Sequence, residues 1–96
     1  MADIVHRRVV VAGEVQGVFF RDTCRQEAMA RGVAGWVRNL LDGTVEAVFE
    51  GAPERVEEML TWTHHGPSAA SVDEVSVEGG RPEGLTGFQV RPTPRS

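Results

Sequence analysis

Apolar and polar positions change period several times along this chain, and each change marks a new element. Arg8-Val-Val-Val-Ala12 is β-branched and unbroken up to Gly13, which predicts a central strand buried on both faces. From Arg21 to Arg31 the residues are good helix formers. Phe20, Cys24 and Ala28 fall one turn apart, and Gly32 is placed to stop the run. Val33 to Leu40 reads as a second strand, with Val37 and Asn39 on one face and Trp36, Arg38 and Leu40 on the other. Asp42-Gly43 is a tight-turn signal that leads into a third strand, Thr44 to Glu50, where Val45, Ala47 and Phe49 alternate with Glu46, Val48 and Glu50. Pro53 suits a first helical position, and Glu54, Glu57 and Glu58 crowd the positive end of the helix it opens. Val56, Met59, Leu60 and Thr63 keep helical spacing until Gly66-Pro67. Val72 to Glu78 alternates as a fourth strand, and a turn around Gly79, Gly80 and Pro82 precedes a short fifth at Phe88 and Val90.

The order is β-α-β-β-α-β with a small terminal strand. That is the split βαβ pattern of an α+β ferredoxin-like sandwich, an antiparallel sheet with two helices on one face. Met1 to Arg7 and Arg91 to Ser96 read as short polar tails, leaving a single domain over residues 1–96 with a core from about 7 to 91. In this topology the first and second strands are parallel with the third between them. Their C-terminal ends share one edge, so the loop after Gly13 is expected to lie near Asn39.

Composition narrows the function. At 96 residues the chain has room for one core and not for two. Acidic residues outnumber basic ones by 14 to 10, and the net charge of −4 argues against a nucleic-acid surface as the main business. All the basic residues are arginines. The absence of Lys excludes side-chain Schiff bases and a lysine-based phosphate loop. One cysteine gives no internal disulfide, no redox pair and no zinc ribbon. No apolar run approaches the roughly 20 residues that span a bilayer, and the Met1-Ala2-Asp3 start lacks signal-peptide character. We therefore expect a cytoplasmic monomer with no membrane and no nucleic-acid partner.

The chemistry concentrates between the first strand and the first helix. In Gly13-Glu-Val-Gln-Gly-Val-Phe-Phe-Arg21 two glycines permit unusual backbone angles, so successive N–H groups can point into one concavity. The helix that follows adds its positive end, and Arg21 supplies a planar, permanently charged fork suited to a phosphoryl group. Spacing alone also allows a plain strand–helix connection with a solvated arginine. Asn39, near the end of the second strand, has a carboxamide that can hold a water with its oxygen while its NH2 donates elsewhere. The other reading is an asparagine bonding its own backbone before Asp42-Gly43.

Taken together, Gly13-x-Val15-Gln16-Gly17-Val18-x-Phe20-Arg21 and Gly35-Trp36-Val37-x-Asn39-x-x-Asp42-Gly43-x-Val45-Glu46 resemble the two signature segments of the acylphosphatases. Gly66-Pro67-x-x-Ala70-x-Val72 is similar to that family's usual close of the second helix, and the likeness runs from about Arg8 to Val90. The resemblance implies hydrolysis of acyl phosphates to a carboxylate and inorganic phosphate, with no metal and no organic cofactor. It implies that the loop Glu14, Val15, Gln16, Gly17, Val18, Phe19 and Phe20 binds the phosphoryl group together with Arg21, and that Asn39 orients the attacking water. Leu40 departs from the threonine that many members carry after the asparagine. The chemistry is consistent with the residues present: a carboxylate leaves without protonation, so the reaction needs positioning and charge stabilisation rather than a general acid.

Other signals point elsewhere. Cys24 follows Arg21 by one turn, whereas a cysteine phosphatase places its cysteine before the phosphate loop, so it reads as a small buried hydrophobe. His64-His65 suit the negative end of the second helix, and adjacent helical positions do not chelate one ion well. His6 has no partner that the sequence identifies, and Trp36 and Trp62 read as packing residues. An RNA-recognition domain shares the element order but needs aromatics on its first and third strands, where this chain has aliphatics, Glu46 and Glu50. The alternative to an enzyme is a non-catalytic ferredoxin-like module that binds an anion or small ligand for regulation. Arg21 paired with Asn39 is what separates the two, since a sensor has no use for a water-orienting group.

Overall fold

Seven elements occur in the expected order: β1 (Val5–Glu14), α1 (Phe20–Ala30), β2 (Ala34–Asn39), β3 (Val45–Gly51), α2 (Pro53–Thr63), β4 (Ser71–Gly80) and β5 (Phe88–Val90). They come from a computed structural model that describes residues 3–95; the tail readings at Met1, Ala2 and Ser96 lie outside the described residues. The strands form one sheet in the order β4-β1-β3-β2-β5. Every pair is antiparallel except β2–β5, which is parallel, so the ferredoxin-like sheet gains a short parallel strand at one edge.

Both helices cover one face. α1 buries Phe20, Cys24 and Ala28, the positions its spacing singles out, and α2 buries Val56, Met59, Leu60 and Thr63. They pack on Val9, Val11, Val37, Val45, Ala47 and Phe49 of the three central strands. Phe88 closes the core from β5, its ring stacked 5.9 Å from that of Phe49.

Three expectations are corrected. The strand buried on both faces is β3, not β1: in β1 only His6, Val9 and Val11 are buried, whereas every residue from Val45 to Glu50 is. The reason is position, because β3 is the middle strand and its outward carboxylates are covered. Glu46 lies between Arg8 Nε at 2.6 Å and Arg38 Nε at 2.7 Å. Glu50 accepts from His6 Nδ1 at 2.6 Å and from the backbone N–H groups of Glu83 and Leu85, which hold the β4–β5 connection against the sheet. The second correction is that Gly79 and Gly80 are strand rather than turn. They pair with Arg7 and His6, and a Cβ on Gly80 would stand 2.8 Å from the His6 ring, so glycine there makes room for the imidazole. The third is that the N-terminal tail is shorter than expected, since β1 begins at Val5.

Trp36 faces the open side of the sheet between two guanidinium groups, those of Arg38 and Arg91, each 4.8 Å from its ring. It packs, as its sequence context implies, and the cations that cover it are well placed for its π face.

Candidate active site

Gly13 redirects the chain. At Ala12/Gly13 the β1–β4 register slips by a bulge, and a Cβ on Gly13 (φ +132°) would fall 2.2 Å from the Ser71 carbonyl oxygen. A β-bulge bends its strand, and here it turns the chain inward over the end of the sheet. Glu14 is still in the strand opposite Ser71, and Phe20 is already the first residue of α1, so the free loop is Val15 to Phe19. Two buried side chains anchor it. Val15 is in the core, and Phe20 packs 5.1 Å from the Trp62 ring and against Gly66, where a Cβ would clash with it at 2.7 Å.

Between these anchors the backbone is open. Among the described residues, none of the N–H groups of Val15, Gln16, Gly17, Val18 and Phe19 has a hydrogen-bond acceptor in the protein. Gly17 and Phe19 both adopt positive φ, at 74° and 64°. Phe19 is the N-cap of α1 yet gives no side-chain cap, so the first helical N–H groups are also unclaimed. Unpartnered loop amides followed by an uncapped helix N-terminus are groups that can take an anion.

Arg21 lines the same cleft, a cavity of about 450 Å³ bounded also by Val15, Gly17, Phe19, Phe20, Asp22 and Val90. Arg8, Arg31, Arg38 and Arg55 are paired to glutamates, whereas among the described residues Arg21 makes no ion pair. Its fork is available to a ligand.

Asn39 ends β2 on the core face. Val11, Val45 and Asn39 form one row across three strands, which puts the end of β1 about 10 Å from Asn39, two strand spacings away. Gln16 ties the loop across that gap: its Nε2 donates to the carbonyl oxygens of Leu40 at 2.8 Å and Thr44 at 2.9 Å. Asn39 does not itself line the cleft, and it does not bond its own turn. The turn is held by Asp42, whose Oδ1 accepts from the Thr44 N–H and hydroxyl. Among the described residues Asn39 Oδ1 is the buried side-chain polar atom that has no hydrogen-bond partner. Buried oxygens are rarely left so.

The structure brings Val15, Gly17, Phe19, Phe20 and Arg21 to one cleft, leaves Glu14, Gln16 and Val18 out of its lining, and ties the Asn39 turn to the loop through Gln16. Sequence reasoning assigned Gln16 to the loop without finding the clamp, and it missed Asp22 and Val90 in the lining. Asp22 follows Arg21 on the helix, a signal that was within reach; Val90 arrives only through the parallel pairing of β5 with β2. Cys24 is fully buried one turn below the cleft, and burial, reinforced by Glu27, pushes its thiol well above the ordinary range. It is a core residue and not a nucleophile.

A model of the acylphosphatase family matches residues 7–90. The chain belongs to the acylphosphatase family. It is 53% identical over 90 residues to an acylphosphatase of Gloeobacter violaceus, covering 94% of this chain and 97% of the relative. It is 55% identical over 86 residues to one from Thermococcus kodakarensis, covering 90% and 94%. Among solved structures, an acylphosphatase from Coxiella burnetii superposes with a TM-score of 0.89 at 37% identity, over 93% of this chain and 94% of that one. The matched residues span both the β1–α1 loop and the Asn39 turn.

Proposed function

We propose that this single domain hydrolyses acyl phosphates by in-line attack of a water on phosphorus, with the Val15–Phe19 amides and Arg21 holding the phosphoryl group and Asn39 holding the water. The reaction is that of the acylphosphatase family to which the chain belongs. The water oxygen bonds to phosphorus, the bond from phosphorus to the acyl oxygen breaks, and the carboxylate leaves with the bonding pair. One water proton stays on the inorganic phosphate and the other is released to solvent. The carboxylate is stable at neutral pH, so no side chain has to protonate it.

Each group has one task. The loop amides and the guanidinium fork follow the charge on the phosphoryl oxygens as the metaphosphate-like transition state forms. The orphaned Asn39 Oδ1 accepts a hydrogen bond from the water and so aims a lone pair of that water at phosphorus. That orphaned oxygen is the observation that favours an enzyme over an anion sensor, since an anion has no use for a buried acceptor. The decisive experiment is Asn39→Ala, read as kcat together with the Ki of inorganic phosphate. The water-orienting role requires Ki to hold while kcat falls about a hundredfold, the equivalent of roughly 3 kcal/mol of barrier. A folded variant with unchanged kcat removes that role.

A further inference from the structure

The open face of the sheet carries a pair of cations that the chemistry of the cleft does not use. Arg38 lies near the end of β2, and Arg91 follows β5 directly. The two strands run parallel, with Trp36 opposite Gln89 and Val37 opposite Val90, and the Arg91 N–H donates to the Val37 carbonyl at 2.9 Å. Arg38 and Arg91 therefore stand side by side on neighbouring strands. Pro92 favours this, because a residue before proline is held extended. Like charges on adjacent strands destabilise a sheet, and the neighbouring carboxylates are already engaged. Arg38 gives its Nε to one oxygen of Glu46, Arg8 takes the other, and Arg8 also holds Glu78. Among the described residues the terminal nitrogens of Arg38 and the whole fork of Arg91 have no acidic partner. Trp36 orders both. Each guanidinium carbon is 4.8 Å from its ring centroid, so the two carbons are no more than twice that distance apart. Stacking on an indole fixes a guanidinium without using its N–H groups, which stay in the plane of the fork for a ligand. That ordering precedes binding, so less entropy is lost when a ligand arrives.

We infer that Arg38 and Arg91 form an anion site on the open face of the sheet, and that it takes a diphosphate, one phosphoryl group to each fork. A guanidinium pairs with a phosphoryl group through two parallel N–H···O bonds. A single phosphate has to be shared across the indole. Two linked phosphoryl groups give each fork its own oxygens and bring enough negative charge to offset both cations. The site is separate from the catalytic loop. Asn39 and Val90, the next residues along from Arg38 and before Arg91, lie on the helix side of the sheet, and strand alternation turns the two arginines to the opposite side. Binding there does not depend on the reading of Arg21 and the loop as the phosphoryl site.

Trp36 reports on the site directly. The indoles of the chain are Trp36 and Trp62, and Trp62→Phe leaves Trp36 as the sole emitter while keeping an aromatic ring against Phe20. Its fluorescence is followed as inorganic pyrophosphate is titrated into the full chain carrying that substitution. The change should saturate, and adding Arg91→Ala should raise the Kd about tenfold or more, the loss expected for a charge-assisted contact. Arg91 is exposed, so its replacement leaves the core intact. Arg91→Lys keeps the charge without the fork and should recover only part of the affinity. Adding Arg21→Ala instead should leave the titration unchanged, and inorganic phosphate should bind severalfold more weakly than pyrophosphate. The site is overturned if no saturable change appears, if Arg91→Ala leaves the Kd where it was, or if Arg21→Ala abolishes the signal, since the anion is then on the catalytic loop. Equal affinity for phosphate and pyrophosphate overturns the choice of a diphosphate.

Discussion

Replacing Gln16 tests whether the cradle and the Asn39 turn work as one unit. Its carboxamide gives both N–H groups to backbone carbonyls across the gap, Leu40 O at 2.8 Å and Thr44 O at 2.9 Å. In Gln16→Ala neither carbonyl is orphaned, because Leu40 O still accepts from the Gly43 N–H and Thr44 O from the Leu40 N–H. The loss is then two ordinary hydrogen bonds, about 1–2 kcal/mol of stability, or a fall in Tm of roughly 5–15 °C for a domain of this size. Gln16→Glu should be worse than Gln16→Ala, since it keeps the bulk, removes both donors and sets carboxylate oxygens against two carbonyls. Catalysis should suffer more than stability. A loop free to drift relative to Asn39 misaligns water and phosphorus, and displacements on the order of 1 Å can cost up to a hundredfold in rate. Urea titration gives the first number and steady-state kinetics the second. The clamp is refuted if Gln16→Ala keeps wild-type kcat, or if Gln16→Glu is as stable and active as Gln16→Ala.

Three further outcomes are expected. Arg21→Lys keeps the charge and loses the planar fork, so phosphate Ki should rise and kcat should fall together; a variant with wild-type Ki contradicts the ligand role of Arg21. Gly35→Ala would set a Cβ 1.8 Å from the Val48 carbonyl oxygen at φ +144°, and chemical denaturation should show a loss of at least about 2 kcal/mol. Burial pushes the carboxyls of Glu46 and Glu50 up, but their partners outweigh it: Arg38 and Arg8 for Glu46, and the amides of Glu83 and Leu85 with the His6 ring for Glu50. Both are held below the ordinary value of 4.5. Groups depressed in the folded state stabilise it above their unfolded pKa and lose that contribution as pH falls through the folded one. Stability to urea should therefore decline below about pH 4.5, and less steeply in Glu50→Gln; an identical slope in that variant removes Glu50 from the account.

What the sequence made legible was local. Helical spacing picked out Phe20, Cys24 and Ala28, and strand alternation placed Asn39 on the same face as Val37; each of these faces is core in the structure. The element order then gave the neighbourhood of loop and asparagine, because the split βαβ topology leaves no other place for the ends of β1 and β2. What stayed hidden depends on partners far along the chain. Alternation in β3 read Glu46 and Glu50 as one polar face, yet arginines and amides from three other segments cover them. No local pattern announces that Gln16 bonds carbonyls 24 and 28 residues away. Nor does the short apolar stretch at Phe88–Val90 show which edge it joins or in which direction it runs.

The polar groups of this protein are partnered very unevenly, and the unevenness follows function. Away from the cleft, buried charge is matched: Arg8, Glu46 and Arg38 form one chain of contacts, and His6, Glu50 and the β4–β5 connection form another. Among the described residues, five successive loop amides, a helix N-terminus and Arg21 near the cleft, and the buried Asn39 oxygen on the neighbouring turn, go without protein partners. Each such group lowers the stability of the free protein by some fraction of its desolvation cost, about 1–3 kcal/mol when fully buried. A fold of this size has little surplus stability, so the deficit has to be offset elsewhere. The matched charges and the doubly covered β3 supply that offset at the opposite end and on the open face of the sheet. A phosphoryl group entering the cleft brings acceptors for the amides and a counter-charge for Arg21. On the proposed reading, substrate binding and phosphate retention draw on the same unpartnered groups. That makes the interaction with the transition state the natural place for the gain to grow: charge on the equatorial oxygens shifts as the carboxylate departs, and donors already in position need no rearrangement to follow it.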